Sequence, residues 1–137
     1  MITYSDATES LTADELEGFF EGWQNPPSPE VHMNLLKNSD HVILACDDET
    51  GRVVGFVTAI SDGVLSAYIP FLEVLPEYRG RGADAIFYVE TARAALAQGY
   101  KRMEGSWILE TNTMMNLILQ RLGMLRYKSY RVYEKPL

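Results

Sequence analysis

The sequence predicts a single α/β (α+β) domain in which a mostly antiparallel central sheet is flanked by helices. Three observations support this prediction. Apolar, β-branched runs alternate with amphipathic helical patterns, two neighbouring strand-like runs are joined by a short turn sequence, and 47% of the 137 residues are hydrophobic. No repeat or long linker interrupts the chain. We therefore expect residues 1–137 to form one domain with its own core.

Hydrophobic periodicity and turn residues give the order of the elements. The predicted elements are a strand at 2–4, helices at 12–23 and 29–38, strands at 41–47, 53–61 and 66–74, a helix at 83–98, a strand at 102–108, a helix at 112–122 and a strand at 125–133. The first helix is expected from a Thr-x-x-Glu capping box followed by apolar residues at helical spacing. Pro70 interrupts the pattern of the fourth strand, because proline cannot donate to a sheet ladder.

The stretch 74–84 lies where a predicted strand turns into a helix, and it reads Val-Leu-Pro-Glu-Tyr-Arg-Gly-Arg-Gly-Ala-Asp. Its two glycines, Gly80 and Gly82, allow backbone N–H groups to approach a ligand closely. The first turn of the following helix adds unpaired donors and the positive end of the helix dipole. This arrangement favours phosphate binding.

This stretch, with the apolar strand before it and the Ala-rich helix after it, resembles the acetyl-CoA pyrophosphate loop of the GCN5-related N-acetyltransferases (GNAT superfamily). Five of six positions fit the family pattern, and Asp84 stands where Gly or Ala is usual. The resemblance implies a GNAT-like sheet that is splayed at the loop-bearing strand. The residues expected to contact the cofactor are Leu72, Val74, Arg79, Gly80, Arg81, Gly82, Ala83, Asp84 and Asn112.

The resemblance also indicates where acid–base groups would lie. Many relatives carry a tyrosine general acid four residues before a helix-ending glycine, and Leu119 occupies that position here. Glu73 is the only carboxylate in the loop-bearing strand and is the candidate base, with a paired structural carboxylate as the alternative. Tyr68 matches the position of a base in some relatives. Strand alternation predicts that Tyr68 and Glu73 face opposite sides of the sheet.

Other chemistry-bearing residues have competing interpretations. Three tyrosines near the C-terminus have two interpretations, either as replacements for the missing general acid or as packing residues: Tyr127, Tyr130 and Tyr133. The aromatic residues of the first helix either line an acceptor pocket or belong to the core. Cys46 lies in an apolar run and is expected to be a core thiol. The two histidines have no metal-ligand spacing, so no metal site is predicted.

Charge is distributed unevenly along the chain. Residues 1–51 hold 11 acidic residues against one basic, whereas residues 79–137 hold 10 basic against 5 acidic. The acidic first half disfavours nucleic acid and anionic membranes as partners and suits a cationic acceptor such as a polyamine, an aminoglycoside or a lysine side chain. The sequence contains neither a long apolar run nor a recognisable signal at its start, so a cytoplasmic location is expected.

The resemblance implies an N-acetyltransferase that moves the acetyl group of acetyl-CoA to a primary amine of a small molecule or peptide, without a metal. A homodimer is one option for its assembly. One alternative is a CoA-binding sensor or partner module with weak or no catalysis. Another is an engineered hybrid scaffold that keeps only the fold, because the parts before and after Gly82 resemble different branches of the superfamily.

Overall fold

The computed structural model describes residues 1–135, which separate into two compact units, residues 1–101 and the described residues from 102 onward. The single-domain interpretation stays a prediction. No helix among the described residues is both long enough and apolar enough to cross a membrane.

The first unit is built on a four-stranded antiparallel sheet in the order β1-β2-β3-β4. The strands are β1 (Ile2–Ser5), β2 (His41–Asp47), β3 (Val53–Ser61) and β4 (Ala67–Val74). Each strand pairs with the next along the chain. Strands β2 and β3 do so across the short turn that the sequence predicted, whereas residues 6–40 separate β1 from β2. The mostly antiparallel sheet flanked by helices is therefore confirmed. Among residues 1–135, β4 has β3 as its only strand partner.

Helices cover both faces of this sheet. Helix α1 (Pro29–Asn38) begins where predicted, because the Ser28 hydroxyl accepts a hydrogen bond from the Val31 N–H. On the opposite face lies α2 (Ala83–Ala97), whose Phe87 is fully buried. A Cβ at Gly55 of β3 would come within 2.9 Å of the Phe87 ring, so only glycine lets this ring lie on the sheet.

Aromatic side chains form the core on the α1 side of the sheet. The rings of Phe19 and Phe20 pack on Phe56 of β3 at centroid distances of 5.2 and 5.9 Å. His32 of α1 lies among them, with its ring centroid 4.5 Å from that of Phe56. Only 1% of His32 is exposed. His32 is therefore a core side chain.

The predicted helix at 12–23 is wrong beyond its first turn. The capping box forms, with Glu15 accepting from the Thr12 N–H, but the helix is a single 3-10 turn from Ala13 to Leu16. Gly18, Phe20 and Gly22 all have positive φ. A right-handed helix needs negative φ, so it cannot continue through this segment. The apolar residues whose spacing predicted a helix instead enter the core from a loop.

A β-bulge lies in the middle of β4. Thr58 of β3 pairs with Phe71 and Ile60 pairs with Tyr68, so Ala59 alone faces two residues, Ile69 and Pro70. The proline thus lies at an interruption of the ladder, as its missing N–H predicted.

The second unit contains one helix, α3 (Thr113–Arg121). Asn112 caps it by accepting a hydrogen bond from the Met115 N–H at 3.1 Å. The strands predicted at 102–108 and 125–133 are absent, and both predictions are wrong. Strands are stabilised by packing one face, whereas the large apolar residues of these segments are mostly exposed. At least 80% of each of the following is accessible: Trp107, Leu125, Val132 and Tyr133.

Candidate functional site

The outer edge of β4 presents backbone donors to its surroundings. The Leu75 N–H donates to the Val54 carbonyl at 2.9 Å and therefore points toward β3. Because hydrogen-bonding groups alternate along an antiparallel strand, the N–H groups of Leu72 and Val74 point the opposite way. The resemblance implied cofactor contacts from both Leu72 and Val74.

The loop after β4 connects this strand edge to the N-terminus of α2. One 3-10 turn (Pro76–Tyr78) is followed by Gly80 at φ 71° and Gly82 at φ 94°. A Cβ built on either glycine would meet no atom within 4 Å, so the space beside both is open. The Gly82 carbonyl accepts from the Ile86 N–H to start α2, and glycine has no side chain with which to cap Ala83 and the other first-turn N–H groups.

The two arginines of the loop have separate partners. Arg79 donates through Nε to the Val74 carbonyl at 3.0 Å and through a terminal nitrogen to the Glu21 carboxylate at 3.1 Å. Its guanidinium therefore lies at the outer edge of β4. The Arg81 guanidinium lies 5.4 Å from the centre of the Tyr78 ring. Both side chains are accessible to an added anion.

Asp84 lies in the first turn of α2, where a carboxylate is favoured by the helix dipole. Burial, and after it the charge of Asp84, raises the pKa of Tyr4. The same two causes raise the pKa of Tyr88, one turn further along α2. The Asp84 carboxylate therefore acts on these two phenols, and a ligand at the loop would meet its charge as well.

Glu73 joins β4 to the loop that carries the core phenylalanines. Its Oε2 accepts a hydrogen bond from the Phe20 N–H at 2.8 Å. Burial raises the pKa of Glu73 above its ordinary value, while the Phe20 N–H and the Arg79 charge act in the opposite direction. A carboxyl with a raised pKa at the end of the loop-bearing strand has the property that a general base needs.

Tyr68 and Glu73 lie on the same face of the sheet, and the predicted opposite orientation is wrong. Tyr68 pairs with Ile60 and Glu73 pairs with Phe56, and paired residues share a face. In a regular strand, residues five positions apart would face opposite sides of the sheet. The bulge in β4 adds one residue between Tyr68 and Glu73, so their side chains face the same side. That face is the one covered by α1 and by the loop with Phe20.

The predicted aromatic helix face divides into core and surface. Phe19 and Phe20 are buried, whereas Trp23 is 51% exposed and lies 6.1 Å from the ring of Phe71 in β4. Trp23 and Phe71 were indistinguishable from core residues in the sequence. Glu21, the partner of Arg79, was not identified either, because its contact spans 58 residues of sequence.

Residues expected to act from the C-terminal region lie in the second unit. Asn112 serves there as a helix cap. Leu119 packs beside Gly105, where an added Cβ would lie 2.9 Å from its Cδ1. Tyr127 is 63% exposed, and a hydrogen bond to Glu104 raises its pKa.

The remaining candidate residues have structural surroundings. Cys46 is partly buried, and burial raises the pKa of its thiol. His41 is exposed, and its Nε2 lies 3.3 Å from the Gln98 amide nitrogen. In the part of the chain that the structure describes, no group of three or more His, Cys, Asp or Glu side chains is arranged to hold a metal ion.

The chain is similar to proteins of one known family. The model of the acetyltransferase (GNAT) family matches residues 8–124. The chain belongs to the GNAT family. The resemblance of its glycine loop to that family is thereby confirmed.

Solved structures agree with membership of the GNAT family. The chain is similar to a crystal structure of a candidate acetyltransferase from Deinococcus radiodurans R1, with 32% identity, a TM-score of 0.75, and coverage of 96% of this chain and 87% of that one. It has the fold of the aminoglycoside acetyltransferase AAC(6')-Iy, solved with a CoA bisubstrate analogue, at 18% identity and a TM-score of 0.69, covering 100% and 99% of the two chains.

A curated relative matches part of this GNAT chain. It is the bacterial ceramide synthase of Caulobacter vibrioides, 42% identical over 79 residues. The match covers 55% of this chain and 21% of the relative, so this chain spans about a fifth of that protein's length.

Proposed function

We propose that this GNAT protein transfers the acetyl group of acetyl-CoA to a primary amine. The observation that carries the proposal is a line of backbone donors in the first unit, interrupted after Val74, where the N–H groups of Leu75, Tyr78 and Arg79 have main-chain partners. It begins with the outward N–H groups of Leu72 and Val74, passes the open glycine loop, and ends at the uncapped N-terminus of α2. Such a line matches a cosubstrate that has an amide-containing arm next to a diphosphate.

In this proposal, the glycine loop and the first turn of α2 bind the diphosphate. Residues 80–84 contribute main-chain N–H groups, and both left-handed glycines leave room for a phosphate to approach. Arg79 and Arg81 add positive charge beside it. Asp84 opposes binding in part, because it brings a negative charge to the same helix terminus.

The Val74 N–H, at the outer edge of β4, donates to the thioester oxygen as negative charge develops on it. Donors fixed in advance at that position are an effective form of transition-state stabilisation. The amine nitrogen attacks the thioester carbon, the new C–N bond forms, and the C–S bond breaks. The nitrogen loses one proton, and the departing thiolate gains one.

Glu73 accepts the proton of the attacking amine, directly or through a water molecule. It is partly buried, and its raised pKa makes it a better base than an exposed glutamate. The Leu119 side chain has no acidic proton to donate, so in this proposal solvent protonates the departing thiolate. Tyr68 shares the face of Glu73 and orients the acceptor.

A second candidate function is a CoA-binding sensor without transfer, and Leu119 at the position of the usual acid favours it. A thermal-shift assay with acetyl-CoA tests binding first, since a ligand at about 100 times its dissociation constant adds roughly 2.7 kcal/mol to the free energy of unfolding. Release of free thiol in the presence of primary amines then distinguishes an enzyme from a sensor. Binding without amine-dependent thiol release would favour the sensor.

A further inference from the structure

Two adjacent residues of the loop before α1 are tied to two adjacent residues of β4. The Phe20 N–H donates to the Glu73 carboxylate at 2.8 Å. The next residue, Glu21, accepts from a terminal nitrogen of Arg79 at 3.1 Å, and the Arg79 Nε donates to the Val74 carbonyl at 3.0 Å. Arg79 therefore completes a ring of contacts between the loop and the strand, which we call the clasp.

The clasp places the Arg79 guanidinium on the outer edge of β4. In an antiparallel pair, the N–H and the carbonyl of one residue point to the same side. The Val74 N–H points away from β3, so the Val74 carbonyl points away from β3 as well. The proposed function places the amide-containing arm of acetyl-CoA along this edge. An amide N–H of that arm needs an acceptor, and the guanidinium occupies the one at Val74.

The same guanidinium is held away from the space beside the second loop glycine. A Cβ built on Gly82 would meet no atom within 4 Å, so the Arg79 side chain does not reach this position. Its Nε and one terminal nitrogen are bonded to the strand and to Glu21 instead. To bring its charge beside a phosphate at Gly82, Arg79 has to leave the Glu21 carboxylate.

We propose that Glu21 is a positioning residue that keeps Arg79 on the outer edge of β4 in the free protein, and that acetyl-CoA displaces Arg79 from this edge. The inference rests on the proposed function, because that function supplies the diphosphate and the arm. The arm takes the Val74 carbonyl, and the diphosphate takes the guanidinium. Glu21 thus competes with the cosubstrate for one cation. The two side chains are 57% and 51% exposed, and ion pairs this accessible are weak enough to exchange.

The first test compares two carboxylates that are paired in the same manner. Glu21→Gln breaks the pair with Arg79, and Glu77→Gln breaks the pair of Glu77 with Arg52. The N–O distances are 3.1 and 3.0 Å, and all four side chains are about half exposed. We expect Glu21→Gln to tighten acetyl-CoA binding about 2- to 5-fold, the range that corresponds to exposed ion pairs. Glu77→Gln removes the same charge and should have a smaller effect. Calorimetric titration measures both, after each variant is checked for an unaltered thermal midpoint.

A double-mutant cycle shows whether Glu21 acts through Arg79. In an Arg79→Met background there is no guanidinium to hold, so Glu21→Gln should leave the affinity for acetyl-CoA unchanged. Salt provides a second measurement with the single variant. The ratio of its affinity to that of the unmodified protein should decrease between ~0.05 and ~0.5 M salt, because salt screens an exposed ion pair.

The possible results separate failure of this inference from failure of the proposed function. Weaker acetyl-CoA binding in Glu21→Gln would mean that Glu21 holds Arg79 ready for the diphosphate rather than away from it. Equal gains in Glu21→Gln and Glu77→Gln, or a gain that persists with Arg79→Met, would assign the effect to net charge. Each of these results would overturn the inference and leave acetyl-CoA binding in place. Absence of acetyl-CoA binding in the unmodified protein and in every variant would remove the proposed function, and this inference with it.

Discussion

The Glu73 side chain accepts a hydrogen bond from the backbone N–H of Phe20 across 53 residues of sequence, at 2.8 Å. Phe20 has a φ of 61°, the one positive value at a non-glycine residue among residues 1–135. This conformation costs an ordinary side chain about 1 to 2 kcal/mol. The Glu73 carboxylate therefore holds a strained residue of the loop that carries Phe19 and Phe20. Glu73 itself lies near the end of β4.

Replacement of Glu73 separates its two roles. Glu73→Gln keeps an oxygen that can accept from Phe20 but cannot take a proton, so we expect kcat to fall about 10²–10⁴-fold with a small change in stability. Glu73→Ala should lose activity and also destabilise the fold, by about 1 to 3 kcal/mol, because the buried Phe20 N–H loses its partner. Steady-state kinetics and urea unfolding measure both effects. Full activity in Glu73→Gln would leave Glu73 with a structural role only.

The pH dependence of kcat/KM should report the ionisation of Glu73. Its pKa is raised, mainly by burial, so activity should increase with pH through a midpoint above 4.5 as the carboxyl loses its proton. The positive charge of Arg79 lowers this pKa, and Arg79→Met should therefore move the midpoint to higher pH. Arg79→Lys keeps the charge and is the control. One acceptor is used throughout, so that ionisation of the amine is common to all profiles. Identical midpoints in Arg79→Met and the unmodified protein would contradict the assignment.

Two glycines provide a matched pair for the glycine loop. Gly80 and Gly63 both have φ 71°, and at both an added Cβ would meet no atom within 4 Å. Alanine at either position should cost about 1 kcal/mol of stability, because of the left-handed backbone. Only Gly80→Ala should weaken CoA binding, at least 10-fold by calorimetric titration, since only there would the methyl group meet a phosphate. Equal CoA affinity in the two variants would show that the diphosphate does not approach Gly80.

Stability should fall as the pH is lowered through the mildly acidic range, because of His32. Burial lowers its pKa to about 4 from 6.5, against the opposite effect of the Leu16 carbonyl. Between these two values the unfolded chain binds a proton that the folded protein does not, so acidification favours unfolding. From pH 7 to pH 5 the loss is about 2 kcal/mol. Urea unfolding of His32→Gln, which has no ionisable ring, should show a smaller difference between the two pH values. An equal difference would assign the effect to other groups.

Local signals in the sequence predicted most of the first unit. Ser28 and Pro29 identified the start of α1, and the Asp48-Glu49-Thr50-Gly51 turn identified the hairpin of β2 and β3. The glycine loop was recognised as a strand-to-helix turn for the same reason. In each case a few adjacent residues determine the backbone conformation.

The errors arose where distant residues determine the structure. The apolar spacing from Leu16 to Trp23 fits a helix, yet the segment forms a loop in which Glu73 holds Phe20. The bulge opposite Ala59 reverses the orientation expected for Tyr68, and alternation counted along one strand cannot reveal it. Strand propensity at 102–108 and 125–133 did not produce strands, because propensity depends on a packed face.

A crystal structure of the protein grown with excess acetyl-CoA tests whether main-chain N–H groups between Val74 and Asp84 hold a diphosphate. We expect phosphate oxygens about 2.7–3.2 Å from backbone nitrogens of residues 80–84. We also expect the arm of the cosubstrate to lie along the outer edge of β4. Acetyl-CoA bound at another surface, or a loop that remains empty while the Asp84 carboxylate caps α2, would contradict these expectations.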